Sequence, residues 1–572
     1  MHSVLYFLFR LAGRAMSLLR KGWPIIREAL AHVVVVGVLV LYVVVEVCSF
    51  TPAYAEVDPD GYLVLAKRMA EHQPLGQKAK NLFQYQTHVW VENSRGEVAA
   101  KFAPGYPALM SVAYRRWGDE GMFYVSPFFG ALALLGMWWL FRQWGMGPLA
   151  ALFALATLGL SRMYMFYTGY LLTHAVSVCF VTWGMCFLWK WLRAPQAWWG
   201  AAAGLALGFS VTVRHTNAVL ALALVIAVAS RLIQDRRSVL SHWRGVAALL
   251  LAYAVFPLFL CAYDKALFGA VFRTGYSLSG EQFAFSLSQF MHNLPIVTEG
   301  LCVRVLPPVL GLGLVGMVLL GDRTERLLRL AWFGTFFVVY VSYYWVTSEW
   351  SYLRFFICTL PMLVGCAYML VAKANVSGFL RFVAMLLLCG VFFAVDHGGL
   401  DRGLRGELFG NNAHELARAG RALSQTLKPN ATVFTFSPFH QYVGTRRHFE
   451  LYDLAVFTKG NVNQFRPGGW PGESEPRRQP VRTERFSKFY EAVSADDLLR
   501  AKQDLVRSVL KDRRQVAYLI PKGSMYGEKA ALGEGIEFKL LKEWEVPWDY
   551  WGHVRRQQWA LYEVTMKAEA AQ

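Results

Sequence analysis

The stretch Val57-Asp58-Pro59-Asp60-Gly61-Tyr62-Leu63-Val64-Leu65-Ala66-Lys67-Arg68-Met69 follows the first long apolar run of the chain. Two carboxylates therefore stand just beyond the end of a membrane-length segment. Tyr62, Leu65, Ala66 and Met69 are spaced i, i+3, i+4, i+7, which predicts a helix with one apolar stripe; Lys67, Arg68 and Glu71 lie off it. A helix of that pattern is expected to lie flat in the membrane interface. Asp58 before Pro59 also reads as an N-cap followed by proline at the first helical position. The two readings are compatible, because a capping aspartate can still present an oxygen to a substrate.

Composition sets the class. The 572 residues are 55% hydrophobic, 15% aromatic and only 17% charged, with a mean hydropathy of +0.31. Those values predict a polytopic membrane protein and exclude a soluble domain of this size. The formal charge of +19 is explained in part by basic cytoplasmic loops. No compact basic module with a nucleic-acid-binding motif is found, so no nucleic-acid partner is expected. Cysteines 48, 179, 186, 261, 302, 358, 366 and 389 all lie in or beside apolar segments, without Cys-x-x-Cys or Cys/His clusters. Neither a disulfide framework nor a zinc site follows. Arg10, Arg14, Arg20, Lys21 and Arg27 precede a full-length span with no small-residue cleavage site, unlike a signal peptide.

Apolar runs fall at roughly 29–50, 121–141, 147–162, 169–190, 197–213, 215–231, 246–264, 302–320, 329–347, 353–372 and 377–395. They predict about eleven transmembrane helices. With uninterrupted alternation, the basic N-terminus, Arg142, Lys190/Arg193, the Arg231–Arg244 loop, Arg323/Arg326/Arg329 and Lys373 share one side, assigned to the cytoplasm. An odd count then puts residues 51–120, 265–301 and the C-terminal third outside it. The outer loop 51–120 carries a polar Asn93-Ser94-Arg95-Gly96 stretch. Its Pro104-Gly105-Tyr106-Pro107 turn feeds a short apolar helix over 107–117. The loop 265–301 includes an amphipathic stretch around 281–294. Past residue 398 the hydropathy drops. Helices over 412–427 and 496–511 alternate with strands at 432–436, 516–520, 536–546 and 558–564, and a polar loop spans 465–485. The expected division is a transmembrane part, 1–398, and a non-cytoplasmic α/β domain, 399–572.

Ionisable groups in a bilayer protein are costly and tend to mark function. Asp58, Asp60, Lys101, His174, Arg214, His215, Glu349 and Arg354 all fall at the outer ends of helices or in outer loops on this topology. Each has an ordinary alternative: flanking charges for Arg214 and Arg354, a satisfied helix residue for His174, a solvated charge for Lys101, and a Glu349–Arg354 pair across the turn. Outer arginines nevertheless run against the positive-inside bias, which favours an anionic partner. As a set they describe carboxylates that accept a proton from a hydroxyl, beside cations that hold a phosphate.

Here the sequence resembles the GT-C superfamily of membrane glycosyltransferases, in particular the protein O-mannosyltransferase and aminoarabinose-transferase-like branch. The matching stretches, in family order, are Asp58-Pro59-Asp60-Gly61-Tyr62 with Leu65-Ala66; Lys101-Phe102-Ala103-Pro104-Gly105-Tyr106-Pro107-Ala108-Leu109; Gly204-Leu205-Ala206-Leu207-Gly208 through Arg214; Phe268-Gly269 with Thr274-Gly275-Tyr276; and Trp350 through Arg354-Phe355 with Leu360-Pro361. They span roughly 30–395. Two departures stand out. Pro59 replaces the glutamate common after the aspartate in close relatives, and His174 stands where some members carry an acidic residue.

The resemblance implies transfer of a sugar from a polyprenyl-phosphate donor, a membrane lipid, to an unidentified acceptor hydroxyl on the outer face of the cytoplasmic membrane. It implies Asp58 or Asp60 as the catalytic base, Asp58 preferred by its spacing to Tyr62. Lys101, Arg214, Arg354, His174 and His215 are the expected contacts of the donor phosphate. Tyr62, Tyr106, Tyr276 and Glu349 are the expected substrate contacts. No cofactor is certain: the two carboxylates could hold a divalent cation or act without one. The rival classes are a lipid-linked glycan flippase, which would carry midplane charges and an internal repeat, and a non-catalytic envelope assembly protein.

Overall fold

The structure is a computed structural model. It describes residues 28–29, 31–52, 58–78, 83, 89–234, 243–279, 281, 285–344, 346–396, 398–409, 422–435, 450–453, 495–512, 514–521, 532–550 and 553–567. The N-terminal basic residues up to Arg27, the loop 465–485 and most of the helix expected over 412–427 lie outside these.

Helix α1, Ala31–Ser49, is the first of seven helices among the described residues that are long and apolar enough to cross a membrane. The number rises to nine if each of two bent pairs is one span: Pro148–Gly159 with Arg162–Gly169, bent by 61°, and Leu287–Val305 with Val309–Leu319, bent by 110°. The expectation of about eleven exceeds this by two helices. Ala197–Val213 is 17 residues long, and Arg323–Val341 opens with Arg323, Glu325, Arg326 and Arg329. The chain is thus a polytopic helical membrane protein.

Helix α2, Asp58–Ala70, does not lie flat on the bundle with one face out. Pro59 through Lys67 are all buried, including Leu63 and Val64 opposite the expected stripe. Two elements enclose it. The hairpin of β1, Trp90–Glu92, and β2, Val98–Ala100, turns through Asn93, whose Oδ1 accepts from the backbone N–H groups of Arg95 and Glu97. Helix α3, Gly105–Gly121, leads through Gly118 at φ +69° into the span Val125–Gln143. Lys67, off the apolar stripe, is therefore buried too, with Nζ 4.0 Å from Asp119.

Ala197–Val213 is positioned by its glycines. Cβ atoms at Gly200, Gly204 and Gly208 would stand 2.5, 2.3 and 2.5 Å from the carbonyl oxygens of Gly245, Leu249 and Tyr253 on Trp243–Phe268. Small residues at every fourth position let the two backbones touch, the usual device where lipid offers no hydrophobic drive. Arg214 is the first residue past this seam.

The far end of the bundle gathers another set of loops. Arg142 pairs with Glu28 at 3.0 Å, Arg193 with Glu325 at 3.0 Å and with the Gln143 carbonyl, and Arg231 reaches the Leu192 carbonyl. These are loops that the charge bias assigned to one side.

The C-terminal part builds a mixed sheet from β3, Thr432–Thr435; β4, Glu450–Asp453; β5, Val516–Pro521; β6, Ile536–Tyr550; and β7, His553–Met566, in the order β4-β3-β5-β7-β6. The first three are parallel and β5-β7-β6 antiparallel. The helix Ala495–Lys511 precedes β5 in the crossover, as the alternating pattern requires.

Candidate active site

Residues from five distant segments meet at the end of the bundle where α2 begins. Asp58 is the first residue of α2, and its Oδ2 lies 3.8 Å from Arg354 Nη2. Arg354 starts the tight turn Arg354–Thr359. Phe355, next to it, is the hub. The guanidinium carbons of Arg214 and Arg354 lie 5.0 and 5.5 Å from its ring, both in cation–π range. The Tyr340 ring stacks on it at 5.2 Å and the His174 ring lies at 6.0 Å. Arg354 also faces the Tyr167 ring at 5.8 Å, and Tyr167 packs edge-on against His174.

Arg214 is held in place. It donates to Thr173 Oγ1 at 3.0 Å and to the Tyr340 hydroxyl at 3.4 Å, which itself shares a hydrogen bond with Thr216 Oγ1 at 2.8 Å. Among the described residues no carboxylate pairs with Arg214. Arg354 stands beside Asp58, and Arg214 brings a second guanidinium to the same ring, a concentration of positive charge suited to an anion.

The other expected residues sort themselves by contact. Asp60 is fully buried and accepts from Trp90 Nε1 at 3.3 Å, whereas the Asp58 side chain keeps a quarter of its surface. Tyr62 is buried under Asp58, hydrogen-bonded to the Thr173 side chain. Burial, with Asp58 beside it and Arg214 opposing, pushes its hydroxyl well above the ordinary tyrosine value, so it stays a donor. Tyr276 lies within electrostatic reach of Glu281, Arg214 and Asp58. Burial and Glu281 push its hydroxyl up as well. The His215 ring meets Tyr276 edge-on at 5.7 Å, and both its nitrogens are buried without a hydrogen-bond partner among the described residues. Lys101 already has a counter-ion, with its Nζ 2.5 Å from Glu281 Oε1.

Two expectations are corrected. Glu349 does not pair with Arg354. It pairs with Arg304 at 2.7 Å on a half-exposed edge, because the helical turn Trp350–Leu353 separates it from the arginine. Tyr106 is not placed to touch a substrate. It is fully buried behind Tyr62, and its hydroxyl is bonded to Ser126 Oγ at 2.7 Å. Tyr106→Phe is therefore expected to cost about 1 kcal/mol in thermal unfolding and to leave KM and kcat unchanged within about twofold. A selective loss of donor affinity in that variant would restore the substrate role.

Sequence reading missed Thr173, Tyr340 and Glu281, and carried Phe355 only as part of a motif, with no role. Glu281 alone carried a signal, as the single carboxylate between Asp264 and Glu299. Among the described residues no three His, Cys, Asp or Glu side chains gather as metal ligands, and all eight cysteines are free.

No family model matches the chain, and no curated protein does. Solved structures do. ArnT from Cupriavidus metallidurans, bound to undecaprenyl phosphate and in the apo state, aligns over 95% of this chain and 98% of its own, with 13% identity and a TM-score of 0.55. The Archaeoglobus fulgidus oligosaccharyltransferase, in a complex with Zn and sulfate, aligns over 85% of this chain and 68% of its own, with 12% identity and a TM-score of 0.49. ArnT is an aminoarabinose transferase, and both proteins are GT-C glycosyltransferases. The likeness to ArnT is one of fold, and it meets the sequence motifs at the same conclusion: this chain has the GT-C fold.

Proposed function

We propose that the chain is a membrane glycosyltransferase that moves a sugar from a polyprenyl-phosphate donor to an acceptor hydroxyl at the outer face of the cytoplasmic membrane. The observation that carries this is the convergence of Asp58, Arg354 and Arg214 around Phe355. Asp58 accepts the proton of the acceptor hydroxyl as its oxygen bonds to the anomeric carbon. The bond from that carbon to the phosphate oxygen breaks, and the departing phosphate gains a charge that Arg214 and Arg354 stabilise. This is the inverting course. Asp60, enclosed with Trp90, supports the shape of the site, so Asp58 is the base. His174 and His215 line the same wall, and Tyr62 and Tyr276 supply neutral hydroxyl donors. No step is routed through a divalent cation.

The loops gathered around Glu28, Arg142, Arg193 and Glu325 then face the cytoplasm, with the N-terminus. The sheet-bearing part, 399–572, lies on the opposite side from 1–398's basic loops. The likeness to a protein crystallised with undecaprenyl phosphate supports a lipid phosphate as ligand.

The test is a lipid profile by mass spectrometry in a strain lacking the chain, with complementation. An undecaprenyl-phosphate-linked hexose or pentose should accumulate, and one envelope glycan should lose a residue. Unchanged lipid-linked sugars and glycans would remove the enzymatic reading.

A further inference from the structure

The Lys101–Glu281 pair is a costly thing to build beside a phosphate site. The two side chains are only 5% and 13% exposed. A buried ion pair contributes little net stability, because desolvation offsets most of the attraction. It also neutralises a cation that an incoming phosphate would use.

The backbone of Lys101 cannot move to resolve the conflict. Its N–H donates to the Val89 carbonyl at 2.9 Å. A Cβ on Gly275 would stand 2.3 Å from Lys101 Cα, so that glycine is bare because the lysine backbone fills the space. The side chain is a different matter. Its ammonium is a point charge on a flexible four-carbon stem, set over Tyr276 at 5.3 Å and Phe102 at 5.9 Å. Contacts tie this pair to the site: the His215 ring meets the Tyr276 ring edge-on at 5.7 Å, and Phe102 packs against Tyr62 at 4.1 Å.

We infer that Glu281 is a competing counter-ion that holds Lys101 in reserve until the departing phosphate draws the ammonium away. The inference rests on the proposed transfer reaction. A sugar phosphodiester carries one negative charge. The phosphomonoester it leaves behind carries close to two at neutral pH, by analogy with a phosphorylated side chain. An ammonium shared between Glu281 and the phosphate is therefore drawn further to the phosphate as the bond breaks. An interaction that strengthens along the reaction accelerates it, whereas one already complete with the bound donor does not. Glu281 is thus a positioning residue that acts through Lys101.

Binding of undecaprenyl phosphate to the full chain in detergent micelles tests this, across wild type, Glu281→Gln, Lys101→Gln and the double variant. Glu281→Gln should bind about tenfold tighter than wild type, and Lys101→Gln weaker. In the Lys101→Gln background the Glu281 substitution should change nothing, because the carboxylate has no ammonium left to withhold. Glu281→Ala carries the same expectation as Glu281→Gln should the amide variant fold poorly. Equal or weaker binding on removal of the Glu281 charge overturns the inference. So does an equal gain in both backgrounds, which would mark a general field effect. A wild type that does not bind undecaprenyl phosphate at all removes the proposed function first, and this inference with it.

Discussion

Asp58→Asn loses sugar transfer by about 10²- to 10⁴-fold, the range set by removal of a general base, while undecaprenyl phosphate binding does not weaken. The amide keeps the volume of the side chain, and α2 keeps its buried length through Lys67. What changes is one charge. Arg354 lies 3.8 Å from the carboxylate in the wild type, and with the amide it faces the phosphate without competition from Asp58. Lipid-phosphate affinity should therefore hold or rise as turnover collapses. That split separates a base from a scaffold residue, whose loss would lower both together. Single-turnover transfer with lipid extract from the deletion strain as donor source, alongside undecaprenyl phosphate titration, measures the two quantities. Full transfer by Asp58→Asn would end the assignment of the base.

The membrane class and the helix-end positions of the charged residues were legible because an ionisable side chain stands out against an apolar background. Asp58, His174, Arg214 and Arg354 are rare groups at helix ends, and all four meet. Their supports were not legible. Tyr340 is one of 26 tyrosines with nothing local to mark it, and Phe355, although it follows Arg354 in a matching stretch, carries no sign that its ring lies beneath two guanidinium groups. Pairing failed for a related reason. Glu349 and Arg354 are five positions apart, yet the intervening helical turn sends Glu349 to Arg304, a partner 45 residues upstream. Such choices depend on how separate segments pack, which no local spacing encodes. The helix α2 shows the same limit. Its stripe is real, but the chain folds a hairpin and α3 over the remaining faces, so an amphipathic pattern ended as a buried helix.

Arg214→Lys should cost about 10²- to 10³-fold in kcat, the loss expected when one preorganised donor to a developing negative charge is removed. The charge survives this substitution, so the loss would come from geometry. The guanidinium donates to Thr173 and Tyr340 while its face rests on Phe355. A planar fork can make all three contacts at once and still present N–H groups to a phosphate; an ammonium cannot stack and bond in the same pose. Because Arg214 has no carboxylate partner among the described residues, its substitution strands no buried anion. The fold should survive, with thermal unfolding close to wild type. Donor KM should move less than kcat, since the phosphate gains its extra charge only as the sugar departs. A variant with normal kcat and a raised KM alone would reassign Arg214 from the departing charge to simple attraction of the lipid headgroup. Arg354, whose guanidinium lies beside Asp58, and Lys101 would then be the cations left to meet the leaving phosphate.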